Sequence, residues 1–309
     1  MTISAKKTPL KRKTKRNIFY FAMIFLPMLQ FAIFYIYVNF NSIVLAFQNY
    51  ELNENFLFDV TFTVGNFKTV WDLLLERSYL ITNALIKFAV VVIIDYPLAL
   101  IFSFYIYKKW VGSGFFKTIL FMPQLVSGLI YGLLYKYIIS DVYIALNPES
   151  LGGLLDLNNL STARTMVIVY NIFMAFGVNV LLFSGSMSGI NDSVVESAHL
   201  DGANSVQEFI YITVPMIWST LVQLMVVSIS AIFTDQMNLM TFYGSHAEEL
   251  STLGYFIYFQ TQASDVISPD SVVFLNYSEL AALGLMATLV IFPITMITRK
   301  LMFKYGPSD

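Results

Sequence analysis

The chain has 309 residues, of which 57% are hydrophobic and only 12% charged, with two His and no Cys. A soluble domain carries roughly 25% charged residues, so the composition excludes an ordinary soluble protein, and the absence of Cys excludes disulfides, thiolate metal sites and a Cys nucleophile. The net charge of -2 is uninformative because the charges are segregated along the chain.

The N-terminus reads KKTPLKRKTKR, with seven basic residues between Lys6 and Arg16. An apolar run of full span length follows and continues FYIYVNF, without the small-residue cleavage site of a signal peptide. We therefore expect a basic tail over residues 1–16 and a retained membrane domain over 17–309. Crossing the hydrocarbon core takes about 20 helical residues. Six windows reach that length: Ile18–Val38, Phe88–Tyr107, Thr118–Tyr135, Met166–Ile190, Val214–Thr234 and Leu280–Ile297. Backbone groups in lipid must be satisfied within the segment, which makes the windows helices. The alternation of a membrane barrel is absent. The fold class is thus all-α integral membrane, with six transmembrane helices.

Basic flanks favour the cytoplasm. The N-terminal tail, the second–third connection (Lys108, Lys109, Lys117) and the C-terminal tail (Arg299, Lys300, Lys304) hold most of the Lys and Arg. All three fall on one side when six helices cross, so both termini are expected to be cytoplasmic. On the outer face, TFTVGNFKTVWDLL reads as a β-like turn leading into an amphipathic helix. A turn is expected at Gly152–Gly153. The aromatic stretch GYFIYFQTQ is too short to span and is expected at the interface or against the bundle. No phosphate-binding loop of the Walker type occurs, so the chain has no ATP site of its own. His199 and His246 lie in different loops and form no ligand cluster.

Only one segment expected in the cytoplasm breaks the charge pattern. ESAHLDGANSVQEFIYITVPM, Glu196 to Met216, is acidic and contains no Lys or Arg. Ser193 and Glu196 fit a capping box, which starts a short helix ending near Leu200. Gly202 can supply the left-handed geometry that stops it. A second helical piece, Val206 to Ile212, carries Phe209 and Ile212, and Pro215 suits the first turn of the fifth transmembrane helix. The result is a helix, a sharp turn and a helix over about 191–213.

These residues resemble the EAA loop of ABC transporter permeases of the binding-protein-dependent importer type. Glu196-Ser197-Ala198, Asp201-Gly202-Ala203, Phe209, Ile212 and Val214-Pro215 keep the family's spacing, with Ser197 and Val214 as the two departures. FFKTILFMPQLVSGLIYGLLYKYI and IFTDQMNLMTFYGS followed by STLGYFIY are similar to sugar-type permeases of that branch, although the family's Gly-Gly-Pro is missing near Gly244. The resemblance covers about residues 18–300. It implies a type I ABC importer permease fold in the bacterial cytoplasmic (inner) membrane. It also implies a second, different permease subunit, a cytoplasmic ATPase dimer that binds the ATP and Mg, and an external solute-binding protein. Nothing implies nucleic acid. Carried over by position, Glu196 faces a basic residue of the ATPase. Ser197, Ala198, Asp201, Gly202 and Ala203 shape a docking knob, and Phe209, Ile212 and Pro215 anchor it. For Glu196 alone, a capping role is the competing reading.

Two polar groups at membrane depth are candidates for a substrate pathway. Asp95, in VVVIIDYPLAL, either lines a cavity or is a buried structural acid bonded to a neighbouring helix. Lys87, about 12 Å along the helix at 1.5 Å per residue, is expected to snorkel to the outer interface. Asp235, Gln236 and Asn238, with Tyr243, Tyr255 and Tyr258 beyond them, suit a sugar, whose hydroxyls bond planar polar groups and whose ring is covered by aromatic faces. An interfacial aromatic belt is the competing reading. The functional expectation is the permease subunit of a carbohydrate importer, and specifically of an oligosaccharide importer. The alternatives are an ion- or proton-coupled carrier acting alone, with Asp95 as its ion site, and a membrane scaffold.

Overall fold

The computed structural model describes residues 12–52, 58–147, 153–265 and 275–307. Most of the basic tail, and Gly152 of the expected turn, lie outside the described residues. Among the described residues five helices are long and apolar enough to cross a membrane: Phe19–Ala46, Tyr79–Tyr107, Gly128–Leu146, Leu157–Met187 and Tyr277–Tyr305. A bent pair, Ser205–Met216 followed by Trp218–Ala231 at 66°, passes the same test only when its two helices are taken together, which brings the candidate spans to six. In chain order they are spans 1 to 6, with Trp218–Ala231 as the body of span 5.

The boundaries differ from the sequence windows for physical reasons. The helix that becomes span 1 starts at Arg12, so the end of the basic tail is helical and no structural break falls at residue 16. The third window is interrupted, because Pro123 lacks an N–H and sits in a tight turn, Met122–Leu125. Its N-terminal part becomes a separate helix, Ser113–Phe121, and span 3 starts at Gly128. The expected start of span 5 also moves. Pro215 belongs to the short helix Val214–Met216; the chain then breaks at Ile217, whose φ of -100° and ψ of 12° are not helical.

The chain forms two compact units. One runs to Val70 and includes Leu275–Leu285; the other comprises Trp71–Phe274 and Met286–Asp309. In the first unit, span 1 is exposed as far as Ile43, and Ala46 at its end is buried. An antiparallel hairpin follows, β1 (Gln48–Leu52) and β2 (Phe58–Phe62), with Tyr50 opposite Val60. Asn66 is buried and donates to the carbonyls of Ala46 (3.0 Å) and Gln48 (2.9 Å). It opens the amphipathic helix Gly65–Glu76 expected from the sequence.

The second unit has two cores. Tyr170, Leu239, Phe242 and Tyr255 centre one; Phe104, Phe183, Met187 and Ile217 centre the other. Small residues let the helices approach closely, as is usual where lipid gives no hydrophobic drive to association. Ser103 on span 2 donates to the Val180 carbonyl of span 4 at 2.9 Å. Gly177 on span 4 admits the Leu120 carbonyl so closely that an added Cβ would lie 1.9 Å from the oxygen. The aromatic stretch forms the helix Leu253–Asp265, with Leu253, Tyr255 and Phe256 buried against the unit.

Candidate functional site: a polar cavity and an exposed knob

The first feature is a cavity of about 540 Å³ among spans 2, 4 and 5 and the loop after span 5. Lys87, Tyr96, Asn171, Asn179, Asp235 and Asn238 supply its polar wall. Lys87, expected to reach towards the outer interface, pairs its ammonium with the Asp235 carboxylate. Asp235 also accepts the Met237 N–H at 2.7 Å, and its carbonyl accepts the Thr252 hydroxyl at 2.7 Å. These bonds hold Met237 and Asn238 at φ of 52° and 56°, a left-handed pair costly for non-glycine residues. Asn171 ties the same turn down by donating to the Met237 carbonyl at 3.0 Å.

The other expected pathway residues separate. Gln236 is half-buried and off the cavity wall. Tyr243 and Tyr255 are not on the wall either. Tyr243 donates to the Leu155 carbonyl at 3.0 Å and Tyr255 to the Gly244 carbonyl at 2.6 Å, so both are committed to core packing. Tyr258 is 38% exposed. Asp95 is fully buried, at the end of a wide π turn, Val91–Asp95. Asn179 donates to its Oδ2 at 2.6 Å, while Oδ1 has no partner. Asp95 therefore stands behind the cavity wall and orients Asn179, which is on it. Asp95→Leu leaves the Asn179 amide unpaired and is expected to cost roughly 1–3 kcal/mol. Asp95→Asn keeps a bond and costs less. Thermal unfolding of the purified protein measures both; equal losses from the two changes contradict this geometry.

The second feature is the knob. Its helix runs Asp192–Leu200. The expected capping box at Ser193 is not formed. Asn191 is the N-cap, accepting the Ser193 N–H at 3.1 Å, and Ser193 lies inside the first turn. A capping box does form one helix later, at Asn204 and Gln207. Glu196 is thus free of a capping role and, like Ser197 and Asp201, is exposed. Gly202 has φ of 85°. Its N–H bonds the His199 carbonyl at 3.1 Å, and the Ala203 N–H bonds the Ala198 carbonyl at 3.0 Å. That pair of bonds is the Schellman stop. Ala198 is buried beneath the turn and Ala203 is half-buried. Phe209 packs on Phe104 of span 2 with ring centroids 5.1 Å apart; Ile212 is half-buried.

Sequence reasoning missed the residue that joins these parts. Glu208 is fully buried. Both its oxygens accept from Lys108 Nζ, at 3.0 and 2.9 Å, and His199 Nε2 lies 2.9 Å from Oε2. Lys108 is 100 residues away in sequence, so no local pattern announces the pairing.

No family model matches the sequence. The fold is that of an ABC importer permease. The structure of a bacterial ABC transporter involved in the import of the acidic polysaccharide alginate aligns with a TM-score of 0.73 at 18% identity, over 95% of this chain and 98% of that one. The bacterial alginate ABC transporter in complex with an alginate pentasaccharide-bound periplasmic protein gives 0.69 at 20% identity, over 94% and 95%. Among curated relatives, the arabinooligosaccharides transport system permease protein AraP of Bacillus subtilis is 24% identical over 88% of this chain and 85% of its own length. A probable ABC transporter permease protein of Mycoplasma genitalium, MG188, is 26% identical over 65% of this chain. This chain spans only 62% of that relative's length. The resemblance read from the EAA-like segment therefore holds: the chain's homologues are ABC transporter permeases, several of them named for sugar or oligosaccharide transport.

Proposed function

We propose that this chain is the membrane-spanning permease subunit of an ATP-driven ABC importer for an oligosaccharide. The observation that carries the reading is the knob. It is an exposed, acidic helix ended by a Schellman turn at Gly202, on a chain that folds as an ABC importer permease. A carrier acting alone has no use for it. Residues 191–213 are the coupling loop and face the cytoplasm, as do both termini; residues 17–309 are the permease domain. The ATP and Mg are held by a separate ATPase dimer. A second, different permease subunit completes the pathway, and lipid covers the remaining apolar surface. A solute-binding protein delivers the sugar from outside the bacterial inner membrane.

The cavity suits such cargo. About 540 Å³ is within the usual range of ligand pockets, roughly 300–1,000 Å³. Its wall offers amides and hydroxyls for sugar hydroxyls. The Lys87 and Asp235 charges cancel one another, which favours a neutral oligosaccharide.

Detergent extraction of the tagged protein tests the assembly. An ATPase and a second permease are expected to co-purify in fixed ratio; purification as a single species from native membranes contradicts the reading. The charge is tested by Glu196→Lys against Glu196→Gln. Because Glu196 caps nothing, the Lys variant is expected to lose ATPase association more than the Gln variant, through repulsion of a basic partner. Equal retention in the two pull-downs removes Glu196 from the docking surface.

A further inference from the structure

Glu208 has no part in the docking surface, since it is fully buried. The three members of this cluster, Glu208 and its partners His199 and Lys108, come from functionally distinct places. His199 lies on the knob helix and is half exposed, at 49%. Glu208 lies on the return helix Ser205–Glu208. Lys108 follows directly on the end of span 2, Tyr79–Tyr107, and its ammonium also sits 5.9 Å over the Phe104 ring. Span 2 is the helix that carries Lys87 and Tyr96 on the cavity wall. From Lys108 back to Lys87 is about 30 Å at the α-helical rise. One buried carboxylate therefore ties the knob to the helix that lines the cavity.

Covalent connection does not provide that tie. The knob helix reaches span 4 through the short segment after Met187, and reaches span 5 through the break at Ile217. Neither covalent path includes span 2, which meets the second path only by packing, Phe209 against Phe104. The contact between Phe209 and Phe104 lacks the fixed donor–acceptor geometry of an ion pair. A carboxylate held by Lys108 on both oxygens and by His199 on one fixes both distance and direction. The burial of Glu208 makes separation of the charges costly.

We propose that Glu208 is a positioning residue that makes the knob and span 2 one mechanical body, so that displacement of the knob is delivered to the cavity wall. The proposal rests on the reading of residues 191–213 as a coupling loop, but its test needs neither ATPase nor sugar. The sequence has no Cys, so spin labels can be placed on Leu200→Cys, at an 88% exposed site on the knob, and Leu98→Cys, at a 44% exposed site on span 2. Pulsed electron paramagnetic resonance on the full chain in lipid nanodiscs then reads their separation. A single narrow distance is expected in the parent. Glu208→Gln is expected to add a second, longer distance, and His199→Gln to broaden the first, while the melting temperature verifies that each variant is folded. A role in stability alone lowers the melting temperature and leaves the distances untouched. A narrow, unshifted distance in folded Glu208→Gln overturns the proposal. Should that variant not fold, an unchanged distance in His199→Gln, whose exposed ring is dispensable for packing, overturns it equally.

Discussion

Gly202→Pro is expected to abolish ATP-driven uptake while the protein still inserts in the membrane. The turn at Gly202 has φ of 85°, and Pro is locked near -65°, so the Schellman bonds from Gly202 and Ala203 cannot both form. The knob loses its stop, and the helix Asp192–Leu200 no longer presents Glu196, Ser197 and Asp201 on one rigid surface. Nothing lies within 4 Å of a Cβ at this position, so the effect comes from the backbone, through the wrong φ and the loss of the N–H that bonds the His199 carbonyl. Gly202→Ala consequently pays only the left-handed strain, about 1–2 kcal/mol, and is expected to retain partial uptake. The readout is uptake normalised to membrane-inserted protein, with ATPase co-purification measured alongside. Wild-type uptake in the Pro variant would show that the geometry of the knob does not matter.

The second large effect is expected at the cavity. Among the described residues, Lys87→Met removes the one partner of the Asp235 side chain besides the Met237 N–H. Breaking a fully buried pair costs roughly 3–5 kcal/mol. Here the side chains are 18% and 33% exposed, so solvent screening lowers the expected loss to about 1–3 kcal/mol. The loss is directed at function, because Asp235 holds the strained Met237–Asn238 turn that shapes the wall. Uptake is expected to fall more than thermal stability alone explains. The double change, Lys87→Met with Asp235→Asn, removes both charges and is expected to recover stability, since no unpaired ion remains. A double-mutant cycle read by thermal unfolding gives the coupling directly. Strict additivity of the two single changes would mean that the ion pair contributes nothing.

These two features were legible in the sequence to different degrees. The knob was almost fully written there. Gly202 after Asp201, and the acid-rich, small-residue run before it, fix a helix and its stop through local backbone chemistry, and local chemistry is what a sequence encodes densely. The error at its start is instructive. Ser193 and Glu196 satisfy the spacing of a capping box, yet Asn191, two residues before Ser193, caps the helix by accepting the Ser193 N–H. Two adjacent candidates competed, and spacing alone could not rank them.

The helices were legible as apolar runs, and their interruptions less so. Pro123 and Pro215 were visible, but whether a proline bends a helix or ends it depends on what fills the space beside it. At Pro123 the helix Ser113–Phe121 ends and packs against Gly177 of span 4. The cavity was the least legible part. Asp235 and Asn238 stood out by composition, but Lys87 and Asn179 are distant in sequence and acquire their places only through packing. Tyr243 and Tyr255 had the right chemistry for a sugar and were taken by the core instead. Glu208 looked like one more acid in an acidic loop. Its burial depends on Lys108 arriving from another connection.

The measurement that bears most directly on the central claim is uptake by the reconstituted assembly. The native complex containing this chain is placed in proteoliposomes with ATP inside. A panel of labelled neutral oligosaccharides is offered outside, with and without the cognate solute-binding protein. The structure-based account predicts accumulation of at least one oligosaccharide that requires both ATP and the binding protein and that disappears in Gly202→Pro. Accumulation by this chain alone, driven by a proton or ion gradient and indifferent to ATP, would contradict it.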